Sequence, residues 1–218
     1  MALKLLYNKI VFQINIYRGN KMKKVILAIL IAAAATSAGA TPILNSSNGI
    51  SNANQTLTFD EHVQATGSAV TNQFADLGVV FAPALYYSGQ SGFANITGKT
   101  ITNFSPKVPS FSMLFSQTLN AASFAMVSNG TIWDFEALFN GASTASFAAV
   151  VNTSSNNFFG FSDLTFNEIR ITSKSNDFMI MDNLATRQAN VPEPGSLALF
   201  GIAALGIAAV RRRTRRAA

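Results

Sequence analysis

From residue 56 to 190 the chain is a succession of short apolar and aromatic runs separated by Gly, Asn, Ser and Pro, a pattern of strands and turns. Eight runs stand out, at 57–60, 78–82, 111–115, 123–127, 131–139, 145–151, 165–172 and 178–184. Eight strands in this length predict an all-β fold, an antiparallel β-sandwich of jelly-roll type. Asn129-Gly130 and Asn140-Gly141 each sit between strand-like runs, and Asn-Gly tolerates the positive φ of a two-residue hairpin. Such a meander favours antiparallel pairing.

Period-two alternation sorts the faces. In 131–139, Trp133, Phe135, Ala137 and Phe139 share the face expected to line the core, while Asp134 and Glu136 share the other. In 165–172, Ile169 and Ile171 point one way and Glu168 and Arg170 the other, which leaves Phe166 on the polar face. In 178–184 the same rule puts Asp182 beside Phe178, Ile180 and Leu184. A carboxylate turned toward a core needs a partner, a hydrogen bond or a cation. Residues 41–55, rich in Asn, Ser and Gly, read as a flexible lead-in.

The two ends follow other patterns. Met22-Lys23-Lys24, an apolar run over 25–35 and Ala38-Gly39-Ala40 have the head, middle and small-residue exit of a secretory signal peptide. Cleavage by signal peptidase after Ala40 is expected, with Ala38 and Ala40 as the small residues it reads. Residues 1–21 read as an upstream extension from a misassigned start, Met22 being the better opening. At the other end, 197–210 carries no charged or hydrogen-bonding side chain and as a helix spans about 21 Å. Arg211, Arg212, Arg213, Arg215 and Arg216 follow at once. Cations beside an apolar helix stay on the cytoplasmic side, so they act as a stop-transfer signal at the inner membrane and place the preceding domain outside.

Charge then changes meaning. The formal net charge is +6, but 11 of the 16 cations lie in the end segments. Between 41 and 190 there are five cations against nine acids, a net charge of −4. No basic patch is left for nucleic acid. About 150 residues suffice for one domain, and without cysteine its stability rests on packing or bound ions.

Val191-Pro192-Glu193-Pro194, followed by an apolar helix and an arginine cluster, resembles the PEP-CTERM sorting signal of bacterial exported proteins. The resemblance covers 191–218 and implies a Gram-negative cell that makes exopolysaccharide. It also implies an exosortase, a membrane transpeptidase that cuts near the Pro-Glu-Pro motif. The two prolines fix φ and resist helix, so an extended peptide is offered at the membrane edge.

Other residue groups suggest chemistry. Asp182 near the domain end is similar to the calcium-bearing last strand of jelly-roll carbohydrate-binding modules, with Asp60 as the matching candidate on the first strand. That likeness implies structural calcium, and Ca²⁺ takes six to eight oxygens. Asp60 alternates away from Phe59, so the chain must bend for it to reach; the alternative is Asp182 capping backbone amides. Asp134 and Glu136 offer paired carboxylates, but glycosidase chemistry wants them facing across a cleft. His62 is the sole histidine and builds no zinc cluster. No G-x-S-x-G elbow or phosphate loop is present. Tyr86 and Tyr87, beside a Ser-Gly-Gln-Ser-Gly loop, are candidates for stacking on sugar rings, or for packing at a sandwich edge. The expected protein is exported, surface- or matrix-associated and non-catalytic, acting through weak exopolysaccharide binding or assembly. An exported glycan- or ester-hydrolase is the alternative.

Overall fold

Alternation and Asn-Gly turns produce strands whose pairings are all antiparallel. The computed structural model describes residues 39–62, 64–104 and 107–189. The expected signal helix through Ala38, the membrane helix, Val191 to Pro194 and the five arginines lie outside the described residues. Among those described, no helix is long and apolar enough to cross a membrane.

The strands are β1 (Thr41–Ser46), β2 (Gln55–Leu57), β3 (Ala69–Val70), β4 (Val79–Ala82), β5 (Leu85–Ser88), β6 (Thr100–Thr102), β7 (Ser110–Ser128), β8 (Thr131–Phe139), β9 (Ala142–Val151), β10 (Phe158–Ser173) and β11 (Met179–Gln188). They form one continuous sheet in the order β3-β5-β6-β11-β7-β10-β8-β9, with β1 on β10, β2 on β11 and β4 on β7.

Two long strands carry this sheet around the core. The first part of β7, Ser112 to Phe115, pairs with β4, and its second part, Leu119 to Ser128, with β11. In β10, Phe158 to Ser162 pair with β1, and Glu168 to Ser173 with β8. Between these parts the β7–β10 register breaks on both sides of Phe166, and Asp163 has φ +58°. Bulges add bend and twist, so the halves turn to face each other as a sandwich. Phe135 on β8 meets Phe124 and Phe159 of the opposite half at ring distances of 6.1 and 5.2 Å. Phe147 on β9 meets Phe161 at 5.1 Å.

The alternation in β8 is borne out for Trp133, Phe135 and Ala137, all buried; Phe139, next to the hairpin, is half-buried. Both Asn-Gly hairpins are present, with positive φ at Asn140, Gly141 and Gly130. Three expectations change. Runs 111–115 and 123–127 belong to one strand: no Gly or Pro interrupts the segment between them, and Ser116 and Asn120 are carried within the strand. Phe166 is buried, not on the polar face, because the register break beside it reverses alternation. Residues 41–55 do not form a flexible lead-in throughout: Thr41 to Ile43 and Ser46 pair with β10, and Ile50 N–H donates to Ser123 Oγ at 2.8 Å. Backbone pairing, not burial of side chains, orders this polar stretch.

Candidate functional site

The sheet path ends in the short strands β3, β5 and β6, and beside them lies a groove of about 500 Å³. Phe104, Phe178 and Tyr86 supply its aromatic surface, and Thr66, Ser88, Gln90 and Thr102 its polar groups. Among the described residues no charged side chain lines it. Phe104 is 58% exposed, a large apolar surface left to solvent. Its ring stands edge-on to Phe178 at 5.8 Å.

Buried polar groups hold these rings in place. Asn103 is fully buried between β6 and β11. Its amide donates to Val108 O at 2.8 Å and Asp177 O at 3.0 Å, and its Oδ1 accepts from Met179 N–H at 2.8 Å. All three polar positions of the side chain are thus engaged between the two aromatics. Phe178 is fixed further by Ser128, whose hydroxyl donates to Phe178 O at 2.7 Å, and by Asp177 Oδ1, which accepts from Phe178 N–H at 2.8 Å.

The two tyrosines separate, as strand alternation requires. Tyr86 is half-buried on the groove. Tyr87 is 1% exposed and packs against Phe74 at 6.1 Å, so its ring belongs to the core and does not offer a sugar-stacking face. Its hydroxyl is buried without a hydrogen-bond partner among the described residues. Burial and the nearby Glu61 charge push its pKa up. Phe104 and Phe178 were not singled out from sequence. The available signal was Phe104 itself, a large aromatic inside the polar stretch 102–107.

Asp60 and Asp182 do approach a common segment. Phe59 takes φ +60°, which supplies the required bend. Asp60 Oδ1 then accepts from Lys99 N–H at 2.8 Å, and Asp182 Oδ2 from Thr97 N–H at 2.8 Å. Between these donors Gly98 has φ +64°, and an added Cβ there would collide with the Asp60 carboxylate. Asp182 Oδ1 also accepts from its neighbour's amide, Asn183 N–H, at 2.6 Å. Asn183 is left-handed at φ +51°, and the register breaks there. Leu184 consequently joins the main core instead of sharing Asp182's face with Ile180, which belongs to the small cluster of Ile96, Ala125 and Val127.

Burial raises the Asp182 pKa to about 6; the Thr97 and Asn183 amides oppose this, and the charges of Asp60 and Glu61 add to it. Both Asp182 oxygens and one of Asp60 already accept from backbone N–H groups. No group of three or more His, Cys, Asp or Glu among the described residues is placed to hold a metal ion. This donor set does not fit the calcium expectation, since a cation would face amide protons and far fewer than its roughly six to eight oxygens. The arrangement is an amide clasp.

Asp134 and Glu136 share the outer face of β8, beside a hollow of about 460 Å³. Asp134 is ion-paired with Lys174, and Glu136 with Arg170 at 3.3 Å; Arg170 also reaches Glu168 at 3.0 Å. His62 Nε2 lies 3.1 Å from Asp76 Oδ1.

No curated protein matches the chain. Residues 190–213 match the family model of the PEP-CTERM protein-sorting motif, and that motif marks the chain as an exported protein, made as a membrane-anchored precursor and sorted by an exosortase.

Proposed function

We propose that the exported domain is a non-catalytic component of the exopolysaccharide matrix of a Gram-negative bacterium and holds neutral glycan chains in the groove of Tyr86, Phe104 and Phe178. The supporting observation is the groove's composition: three aromatic rings, hydroxyl and amide groups, and no charge. Sugar rings stack their C–H faces on aromatic π-faces and exchange hydroxyl hydrogen bonds with neutral polar groups. An anionic polymer would find no cation there. The buried Asn103 keeps two of the rings in position before any ligand arrives, which lowers the ordering cost of binding.

Affinity electrophoresis of the full chain in detergent, through gels containing dextran, mannan or alginate, tests this reading. Retardation is expected in a neutral polysaccharide and not in alginate. Phe104→Ala and Tyr86→Ala should each weaken it about tenfold, the scale of one aromatic contact. Tyr87→Phe should leave it unchanged. The hydrolase reading rests on Asp134 and Glu136 and their hollow. Turnover of a glycan or ester by the full chain, lost in Asp134→Asn or Glu136→Gln, would decide for that alternative.

A further inference from the structure

The two ends of the domain leave it side by side. Backbone register puts Thr41 of β1 opposite Ser162 of β10, Ser162 opposite Ala121 of β7, and Ala121 opposite Arg187 of β11. Three strand spacings of about 4.8 Å therefore separate Thr41 from Arg187, roughly 14 Å in all. Ala189 is held just beyond this row by Thr118 O. The row adjoins the corner where β7 and β10 pass from one half of the sandwich to the other, at the register breaks between Ser162 and Glu168. The hairpin at Asn140 belongs to the same corner, since Asn140 N–H donates to Asn167 Oδ1 at 2.9 Å.

The groove lies at the opposite ends of these strands. Phe178 stands just before β11, and its carbonyl is tied to Ser128, the last residue of β7. Phe104 comes just after β6. From Phe178 to Arg187 the chain advances nine residues, about 30 Å as strand. Beyond Ala189 the matched sorting motif begins at residue 190, and the apolar run expected to enter the membrane begins at 197. Those eight steps reach at most about 28 Å even fully extended. A domain turned over, with the groove toward the bilayer, would hold Ala189 at or beyond that limit. The exposed side chains of the corner are uncharged hydrogen-bonding groups, among them Ser116, Gln117, Asn140, Thr165 and Gln188. The acids near it are accompanied: Asp163 lies 3.7 Å from Arg187 and Asp76 3.1 Å from His62. Such a face meets zwitterionic headgroups without burying an uncompensated charge.

We propose that in the membrane-anchored precursor this corner rests against the phospholipid headgroups of the inner membrane, while the groove of Tyr86, Phe104 and Phe178 opens at the far pole, about 30 Å farther out. Polymer then reaches the groove while the anchor is still in place. That the outward groove takes glycan rests on the reading above; the orientation does not.

The chain has no cysteine, so one introduced thiol carries one fluorophore. Ser116→Cys puts it at an exposed position of the corner, and Ser175→Cys at an exposed position of the turn before Phe178. Each full chain is reconstituted into phosphatidylethanolamine and phosphatidylglycerol vesicles whose headgroups carry an energy acceptor. Transfer to the bilayer should be at least about threefold more efficient from position 116 than from 175, because the two differ by about 30 Å in height. Gln117→Cys against Asn129→Cys, a second exposed pair, should repeat the order. Equal transfer within the pairs, as from a domain lying on its side or turning freely on its tether, overturns the proposal. So does the reverse order. The vesicles contain no polysaccharide, so a failure here and a failure of retardation in the affinity gel are read separately.

Discussion

At the scale of single residues, Asp182 couples the fold to pH. Burial makes its ionisation harder in the folded chain, and the charges of Asp60 and Glu61 work in the same direction. The folded state therefore keeps this proton up to about pH 6, whereas the unfolded chain releases it near the ordinary carboxylate value. The stability this group contributes is complete below the unfolded pKa and is lost as pH rises through about 6. The full loss is about 3 kcal/mol. Urea unfolding from about pH 4.5 to 7.5 should show that fall superimposed on other groups. Asp182→Asn should flatten it. Because its side-chain NH2 only donates and would face one of the two backbone N–H groups that the carboxylate accepts from, at a cost of about 1–3 kcal/mol, the variant should be the less stable at about pH 4.5 and close to the wild type at about pH 7.5. Calcium enters at this same scale. With both Asp182 oxygens committed to amides, addition of Ca²⁺ or EGTA is expected to leave the melting temperature unmoved, and a rise with Ca²⁺ would restore the cation reading.

Among elements, the contact of β6 with β11 governs the groove. β6 has three residues and pairs with β11 only at Thr102 and Ile101, so side chains supply much of the attachment. Thr102 Oγ1 donates to Met179 O at 2.7 Å, and Asn103 makes its three bonds alongside. Asn103→Ala leaves buried donors and acceptors unpaired, which costs about 2 kcal/mol or more. In the affinity gel it should weaken retardation although Asn103 does not line the groove, while Thr66→Ala should act only through its own contact. The same elements show what could be read from residues alone. β8 and its two hairpins were legible because alternation and Asn-Gly turns are local signals. β3, β5 and β6 were not, because two to four residues carry no period and hold by pairing. Alternation failed at Phe166 and Leu184, where a register break reverses the faces. The groove was half legible: Tyr86 was found from its loop context, whereas Phe104 and Phe178 meet across 74 residues of chain only after β6 docks on β11.

For the whole molecule, the limits of the described sandwich fall beside the cleavage expected after Ala40 and beside the matched sorting motif. β1 begins at Thr41, the residue that cleavage after Ala40 would leave at the N-terminus. β11 ends at Gln188, two positions before the matched motif at 190–213. Ala189 N–H still donates to Thr118 O at 3.0 Å, so the last tie among the described residues falls just ahead of the motif. A cut near Pro192 would therefore remove none of the described strands, and one after Ala40 would leave β1 whole. An N-terminal cut only a few residues later would strip pairs from β1, including Thr41 with Ser162 and Pro42 with Phe161. The exported form is accordingly expected to begin at Thr41, to end near Pro192 and to melt as the precursor domain does. Intact mass measurement of protein recovered from the producing cell checks both termini at once. If the charge of the five arginines is the stop-transfer signal, as expected from the sequence, replacing them by neutral residues should reduce retention in the inner membrane. Unchanged fractionation would remove that role. A start found beyond Ser46 would mean that β1 is discarded and that the margin of β10 is bare in the mature protein.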